Sequence, residues 1–462
     1  MKLLSLHLRH VYHFADLKLE LHPTQQPLTV ILGAQASGKT AILKSIYQSL
    51  TWFAARFKDL RTPGVVMLDQ DIMQNRLQAK IDIAIQIPHE LGALPESSDS
   101  NAQDHSICSW QLYKTLNANG IGISRTEITQ LEQLVALYLK AIQQDPLQGL
   151  PMIAYYPVDR FINEVNLLNK NNPAVMQSNA AYELTAISFT TFARFFEWFR
   201  EISDIENAQA AQLFQQILHK SERSTLPSDS VKTDSNFQSA LLQARNHLHS
   251  PNLQALKQSL SIVLPELTDI FIEYQPKLQL MVTYQHKTQP FQQLSNSIKN
   301  WIALVGDIVR RLCLLNPLSL YPCLEGDGIL LIDQIDIGLD QEHAQLILPR
   351  LHQAFPQLQI IVSTLHEYLF ESGENIQCLQ LQQQKIQEIK LEQYQADLEQ
   401  LYVSLQDQAS EDNEAETIIE EETVSAVDQL FAQFQKLSAQ EQQQLRALLH
   451  IDDDQTSPKS VL

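Results

Sequence analysis

Leu28-Thr-Val-Ile-Leu-Gly33-Ala-Gln-Ala-Ser-Gly38-Lys39-Thr40 is the stretch on which the fold turns. It opens with a run that is continuously apolar in character, as a strand buried in a parallel sheet must be. From Gly33 to Thr40 it then satisfies GxxxxGK[ST] in full. In that pattern the glycines let successive backbone N–H groups curl around a β-phosphate. The lysine charge reaches the β and γ oxygens, and the threonine hydroxyl binds Mg²⁺. Beyond Thr40, the residues Leu43, Ile46, Tyr47, Leu50, Phe53, Ala54 and Phe57 recur at helical spacing. The helix that starts at the loop adds its positive dipole end to the phosphate site. Strand, glycine loop and helix together form the context that separates a working loop from a chance match. Gly33, Ser37, Gly38, Lys39 and Thr40 are therefore the expected contacts to ATP-Mg²⁺, with Thr40 on the metal.

Such a site needs a second half, an apolar strand ending in aspartate. Gly328-Ile-Leu-Leu-Ile-Asp333 supplies it, and Asp333 is expected to hold Mg²⁺ through water. Around it the pattern reads helix over 301–315, strand over 328–332, helix over 341–355 and strand over 359–363. That alternation predicts an α/β fold with a parallel sheet. Toward the start, Leu4, Leu6 and Leu8, then Leu17, Leu19 and Leu21, alternate as two strands joined near His13. A polar loop is read over 95–106, a helix over 124–144 and a short buried strand over 152–156. Helices follow over 190–264, with a Ser-, Thr- and Asp-rich break at 221–236 read as a disordered insertion. Strand character returns over 270–294, where Leu278, Leu280 and Val282 alternate. The acidic run 411–422 reads as a solvated linker. After it, Leu430, Phe434 and Leu437 mark one amphipathic helix, and Ser438-Ala-Gln-Glu441 reads as a capping box opening a second.

Bulk composition sets the outer bounds. The 462 residues are 44% apolar, ample for a large core, and carry 33 basic against 53 acidic side chains, a net charge of −20. A chain this acidic gains little from counterion release on a nucleic-acid backbone. No run approaches the ~20 apolar residues of a membrane helix, and no signal peptide is visible, so a cytoplasmic protein is expected. Cys108, Cys313, Cys323 and Cys378 are scattered without CxxC spacing, which argues against zinc and against a disulfide framework.

Several blocks resemble a known family. They are MKLLSLHLRHVYHFADLKLELHP at the front, PMIAYYPVDR at 151–160, FARFFEWFREISDIEN at 192–207, IALVGDIVRRLCLLNP at 302–317 and the run from 325 to 364. The chain is similar to RecF/SMC-like ABC-type ATPases, specifically a bacterial group of predicted ATP-binding proteins linked to virulence or defence loci. That group includes ATPase subunits of Septu-type and retron-linked anti-phage systems. The resemblance implies an ABC/SMC-type P-loop NTPase head that closes over ATP as a homodimer or higher oligomer. It divides the chain into lobes at 1–90 and 265–385, a mostly helical insertion at 91–264 and an acidic helical tail at 386–462.

Departures from the family pattern cluster at the catalytic positions. Gln334 stands where the family has a glutamate general base. Gln can orient a water but cannot take its proton, a loss of ~10²–10⁴-fold in rate. Asp336 and Glu342 are the alternative bases. The signature segment is Leu294-Ser295-Asn296-Ser297-Ile298, which keeps Ser295, a cofactor-binding position by resemblance, but replaces the glycine with Ser297 and the acid with Ile298. His366 comes one place later than the family's switch histidine and reads as a surface residue. Tyr12 replaces a family arginine and reads as core filling, with adenine stacking as the alternative. Gln70 and Gln74 are candidates for the Mg²⁺-sensing loop glutamine. The block Phe192, Phe195, Phe196, Trp198 and Phe199 has helical spacing and reads as core, and Arg310 and Arg311 read as partners for acids. The expectation is an ATP-holding regulatory subunit with weak or no hydrolysis, controlling an effector such as a nuclease, with anti-phage defence as the setting. The alternative is an active DNA-associated ATPase of RecF/SMC type, which the charge balance does not support.

Overall fold

Strand β3 (Leu28–Gly33) lies inside a six-stranded sheet, buried at every residue. Its neighbours are β14 (Leu358–Thr364) on one side and β15 (Ile376–Gln382) on the other. Beyond β14 come β13 (Gly328–Ile332) and β7 (Met152–Tyr156), and β16 (Lys385–Ile389) closes the far edge. All pairings are parallel except the β15–β16 hairpin. The computed structural model describes residues 1–94, 106–117, 120–162, 165, 167, 176–182, 189–223, 251–366 and 375–389. They belong to one unit, Met1–Ile389, while the other unit, Lys390–Leu462, lies outside the described residues, as does its expected helical pair.

Register explains how distant residues meet. Leu32 pairs with Thr364, and Ile332 with Val362, so β3 and β13 end at the same edge with only β14 between them. Two strand spacings of about 4.8 Å thus separate the phosphate loop after β3 from Asp333 after β13. Both faces of this sheet are covered, which is why β3, β7, β13 and β14 are apolar runs without alternation. Each fully buried Ile, Leu or Val contributes about 1.5–3 kcal/mol.

Helix α1 (Lys39–Lys58) runs back from the loop and packs on β7, with Tyr47 and Tyr155 ring centroids 5.4 Å apart. Helix α2 (Thr129–Gln144) covers α1 through Tyr138, edge-on to Phe53 at 5.3 Å. Helices α3 (Ala193–Arg223), α4 (Pro251–Val263) and α5 (Asn296–Leu315) follow, then the single turn α6 (Pro322–Glu325) and α7 (Gln341–Ala354). The expected aromatic core is present on and just before α3: Phe192, Phe195, Phe196, Trp198 and Phe199 are each 2% exposed or less.

A second sheet is antiparallel, in the order β2 (Phe14–Glu20), β1 (Lys2–Val11), β4 (Gln78–Gln86), β5 (Ile107–Leu116), β6 (Gly122–Glu127). A third joins β10 (Leu267–Glu273), β11 (Gln279–Tyr284) and β12 (Lys287–Pro290), and β8 (Asp159–Phe161) pairs with β9 (Phe189–Thr191).

Several boundaries differ from the sequence reading. The helix expected over 124–144 starts at Thr129, because 122–127 pairs with β5 as an edge strand. Edge strand β6 has no buried residue and so no apolar alternation to read. The helix expected from 301 starts at Asn296, where Ser295 caps it. The stretch 91–264 holds β5, β6 and β7 beside its helices, and β16 runs past 385 to Ile389. Of the break expected at 221–236, α3 takes 221–223 and the rest is outside the described residues, as are 95–105 and 411–422. All four cysteines are free and buried. Burial pushes the Cys108, Cys323 and Cys378 thiols up to about 12, so they are inert.

Candidate functional site

The loop between β3 and α1 needs glycine at two places. Gly38 has φ +108°, a left-handed conformation that a side chain would strain. A Cβ on Gly33 would come within 2.8 Å of Ser37 Oγ and 2.9 Å of the Leu381 carbonyl. Lys39 is buried on the concave side of the loop, its Nζ donating to the carbonyls of Gly33 and Ala34, the latter at 2.8 Å. Burial lowers the pKa of this amine, and the carboxylates of Asp333 and Asp336 pull the other way. Thr40 follows on the first turn of α1, half-buried.

Asp333 is fully buried at the end of β13. Its Oδ1 accepts from Ser363 Oγ on β14, whereas Oδ2 has no hydrogen-bond partner among the described residues. The Tyr155 hydroxyl, also without a well-aligned partner, is close enough that burial first and then the Asp333 charge push it well up. A carboxylate oxygen left open in a buried site costs free energy unless a ligand takes it. This fits a Mg²⁺ ion bound through one carboxylate, one hydroxyl and the phosphates of its nucleotide. Consistently, no cluster of three acidic, His or Cys ligands exists among the described residues. Gly33, Ser37, Gly38 and Lys39 would hold the phosphates, with Thr40 and Asp333 on the metal.

Gln334 sits at φ +45°, unusual for a residue with a side chain. Its N–H donates to Ser363 Oγ at 2.8 Å. Its carbonyl is held by Arg160, which lies in the block 151–160 and which no local pattern marks as a site residue. The buried Arg160 guanidinium donates to the carbonyls of Pro157 (2.9 Å), Asp333 (2.7 Å) and Gln334 (2.8 Å). Burial lowers it to about 10 despite the Asp333 and Asp336 carboxylates, so it stays charged at neutral pH. Arg160→Met strips these carbonyls, each worth about 1–3 kcal/mol if left unsatisfied in part. Urea unfolding is expected to show a loss of about 2 kcal/mol, and Arg160→Lys a smaller one, since a point charge cannot serve three carbonyls in a plane as well.

Of the two alternative bases, Asp336 belongs to the site and Glu342 does not. Asp336 is buried, accepts from Thr364 Oγ1 at 2.9 Å and lies 3.7 Å from His366 Nε2. Glu342 is exposed on the first turn of α7. His366 is largely exposed, as read from the sequence, yet it leans on Asp336. Thr364 Oγ1 also accepts the His366 N–H at 3.0 Å, which fixes the turn after β14.

Ser295 caps α5, accepting from the Ile298 N–H at 3.4 Å, and no hydrogen bond joins it to the phosphate loop among the described residues. Ser297 donates to the Gly338 carbonyl in the turn after β13. Gln70 and Gln74 are exposed in the segment before β4. Tyr12 is half-buried at φ +53°, and burial, then the Asp71 carboxylate, raise its hydroxyl well above the ordinary value. Arg310 and Arg311 do pair with an acid: their Nε groups each donate at 2.8 Å to Asp307, which also accepts from the Tyr156 hydroxyl at 2.8 Å.

Comparison with known proteins bears on the family. The sequence profile of the AAA domain family matches residues 5–268, more than half of the chain. A retron Ec83 probable ATPase from Escherichia coli is 25% identical over 396 residues, covering 79% of this chain and 68% of its own. A retron Vc95 probable ATPase from Vibrio cholerae serotype O1 biovar El Tor is 27% identical over 367 residues, covering 75% and 67%. Among solved structures, the Smc head domain bound to the C-terminal domain of ScpA, derived from Pyrococcus furiosus, aligns with 87% of this chain and 99% of its own at 14% identity. Its TM-score is 0.45, and the fold assignment rests instead on the strand order and loop geometry above. Among the described residues no helix is long and apolar enough to cross a membrane. By its profile match over more than half of its length the chain belongs to the AAA domain family, and its phosphate loop is that of an ATP-binding P-loop ATPase.

Proposed function

We propose that this chain is an ATP-gated regulatory subunit with weak or no hydrolysis, working as a homodimer or higher oligomer on a partner effector such as a nuclease. We place it in the cytoplasm and in anti-phage defence; the retron names of its relatives support a retron-linked setting. One observation carries the reading. The phosphate cradle and Asp333 are whole, while the residue beside Asp333 is Gln334, locked in place by Ser363 and Arg160. Bound Mg²⁺ supplies charge neutralisation at the phosphates. Lys39 places a cation on the phosphate oxygens, and the backbone N–H groups of the loop orient them. Gln334 can hold a water by its amide but cannot accept that water's proton, so bound nucleotide persists and acts as a signal.

Calorimetric titration with Mg-ATP tests this directly. The full chain is expected to bind, and Lys39→Ala to bind about 10- to 100-fold more weakly, the worth of a charge-assisted hydrogen bond. Steady turnover is expected below about 0.1 s⁻¹, against 1–10³ s⁻¹ for most enzymes. No heat from the wild-type chain overturns the nucleotide reading. Brisk turnover, or recovery of the chain from its native host with no partner attached, overturns the regulatory one.

A further inference from the structure

The turn between β1 and β2 touches the phosphate loop at one point, and that contact has a direction. His13 Nε2 lies 3.0 Å from the Ser37 carbonyl oxygen, so Nε2 carries the proton and donates. The imidazole packs beside Phe14, ring centroids 4.1 Å apart. A Cβ added to Gly38 would fall 2.3 Å from the His13 ring and 2.6 Å from Phe14 Cζ. The two rings are thus the wall behind Gly38. The Ser37 carbonyl and the Gly38 N–H belong to one trans peptide, in which the two bonds point opposite ways. Holding the carbonyl toward His13 aims the Gly38 N–H away from it. Among the described residues that N–H has no acceptor.

We propose that His13 is a positioning residue for nucleotide binding: it fixes the Ser37–Gly38 peptide so that the Gly38 N–H presents to the phosphates of a nucleoside di- or triphosphate. This rests on the ATP-binding reading above and adds to it a residue from outside the loop. Without that hydrogen bond the Ser37–Gly38 peptide loses a constraint against a flip that would turn a carbonyl toward the phosphates.

The test compares wild type, His13→Ala, His13→Gln and Lys39→Ala as full chains, titrated with Mg-ATP and Mg-ADP. His13→Ala is expected to weaken both by about tenfold, the size of one hydrogen bond to a charged ligand's donor set. His13→Gln, whose amide N–H reaches the same carbonyl, is expected to stay within about threefold of wild type. In nucleotide-free protein, hydrogen exchange across 33–40 rises for His13→Ala and not for His13→Gln. Wild-type affinity in His13→Ala, or an equal loss in both variants, overturns the proposal as mere packing. If wild type binds and Lys39→Ala does not, while His13→Ala is normal, this inference alone fails. If wild type binds neither nucleotide, the ATP reading fails and takes this one with it.

Discussion

Gln334→Glu is expected to raise ATP turnover by about 10²-fold or more, the usual worth of a general base. The substitution keeps length and shape, and the backbone it sits on is held independently of the side chain. Ser363 takes the N–H and Arg160 the carbonyl, so φ +45° persists. Lys39, whose charge interacts with Asp333 and Asp336, offsets part of the negative charge added beside Asp333. Affinity for Mg-ATP is therefore expected to change by only a few-fold, and the gain to appear in kcat. Phosphate release by the two proteins at saturating ATP measures it. Unchanged turnover would mean that proton transfer is not what limits this site. Asp336→Asn in the same assay shows whether Asp336 accepts the proton: a slow wild-type rate that vanishes in this variant assigns the role to Asp336.

Asp307→Asn is expected to cost about 3–5 kcal/mol of stability. Asp307 is buried with two guanidinium groups against it and the Tyr156 hydroxyl on the same carboxylate. Burial alone would raise its pKa, but Arg311 and Arg310 outweigh that and hold it well below the carboxylate range. With Asn in place, two desolvated cations face no counter-charge. Because the folded-state pKa is depressed, the stabilisation is present above the unfolded value near 3.9. It is lost only as pH falls from there through the lower folded value. Urea unfolding at neutral pH should show the loss as a reduced midpoint. Replacing Asp307, Arg310 and Arg311 together with apolar residues is expected to recover much of it, since a buried ionic cluster is often no more stable than a packed apolar one. The cluster also anchors residues 176–182, through Arg310 and Arg311 donating to the carbonyls of Ala180 and Ala181.

The parts legible in the sequence were those with a strong period or a fixed spacing. Buried strands β3, β13 and β14 announce themselves as unbroken apolar runs because both faces are covered. The glycine loop is a motif because backbone geometry demands glycine at Gly38, where φ is +108°. Strand β6 left no signal, since a mostly exposed edge strand has no apolar face. Arg160 and His13 were invisible as site residues for a different reason. Each acts on a backbone or side-chain group far away in sequence, such as Arg160 on Asp333 and Gln334, and no local pattern records such a partner. Asp336 could be named as a candidate from its place after Asp333, but only Thr364 and His366 show that it faces the site.

Strand order has a consequence for synthesis. β3 is made long before both strands that flank it, β14 and β15. At 5–20 residues per second the ribosome delivers them roughly 20–70 s after β3 emerges. Until then the nascent chain carries an apolar ribbon with two unpaired edges, a template for clumping with its neighbours on a polysome. A chaperone holding the first hundred residues through that interval should set the yield of usable protein, and messages cut short before residue 358 should give product that cannot close the sheet at all.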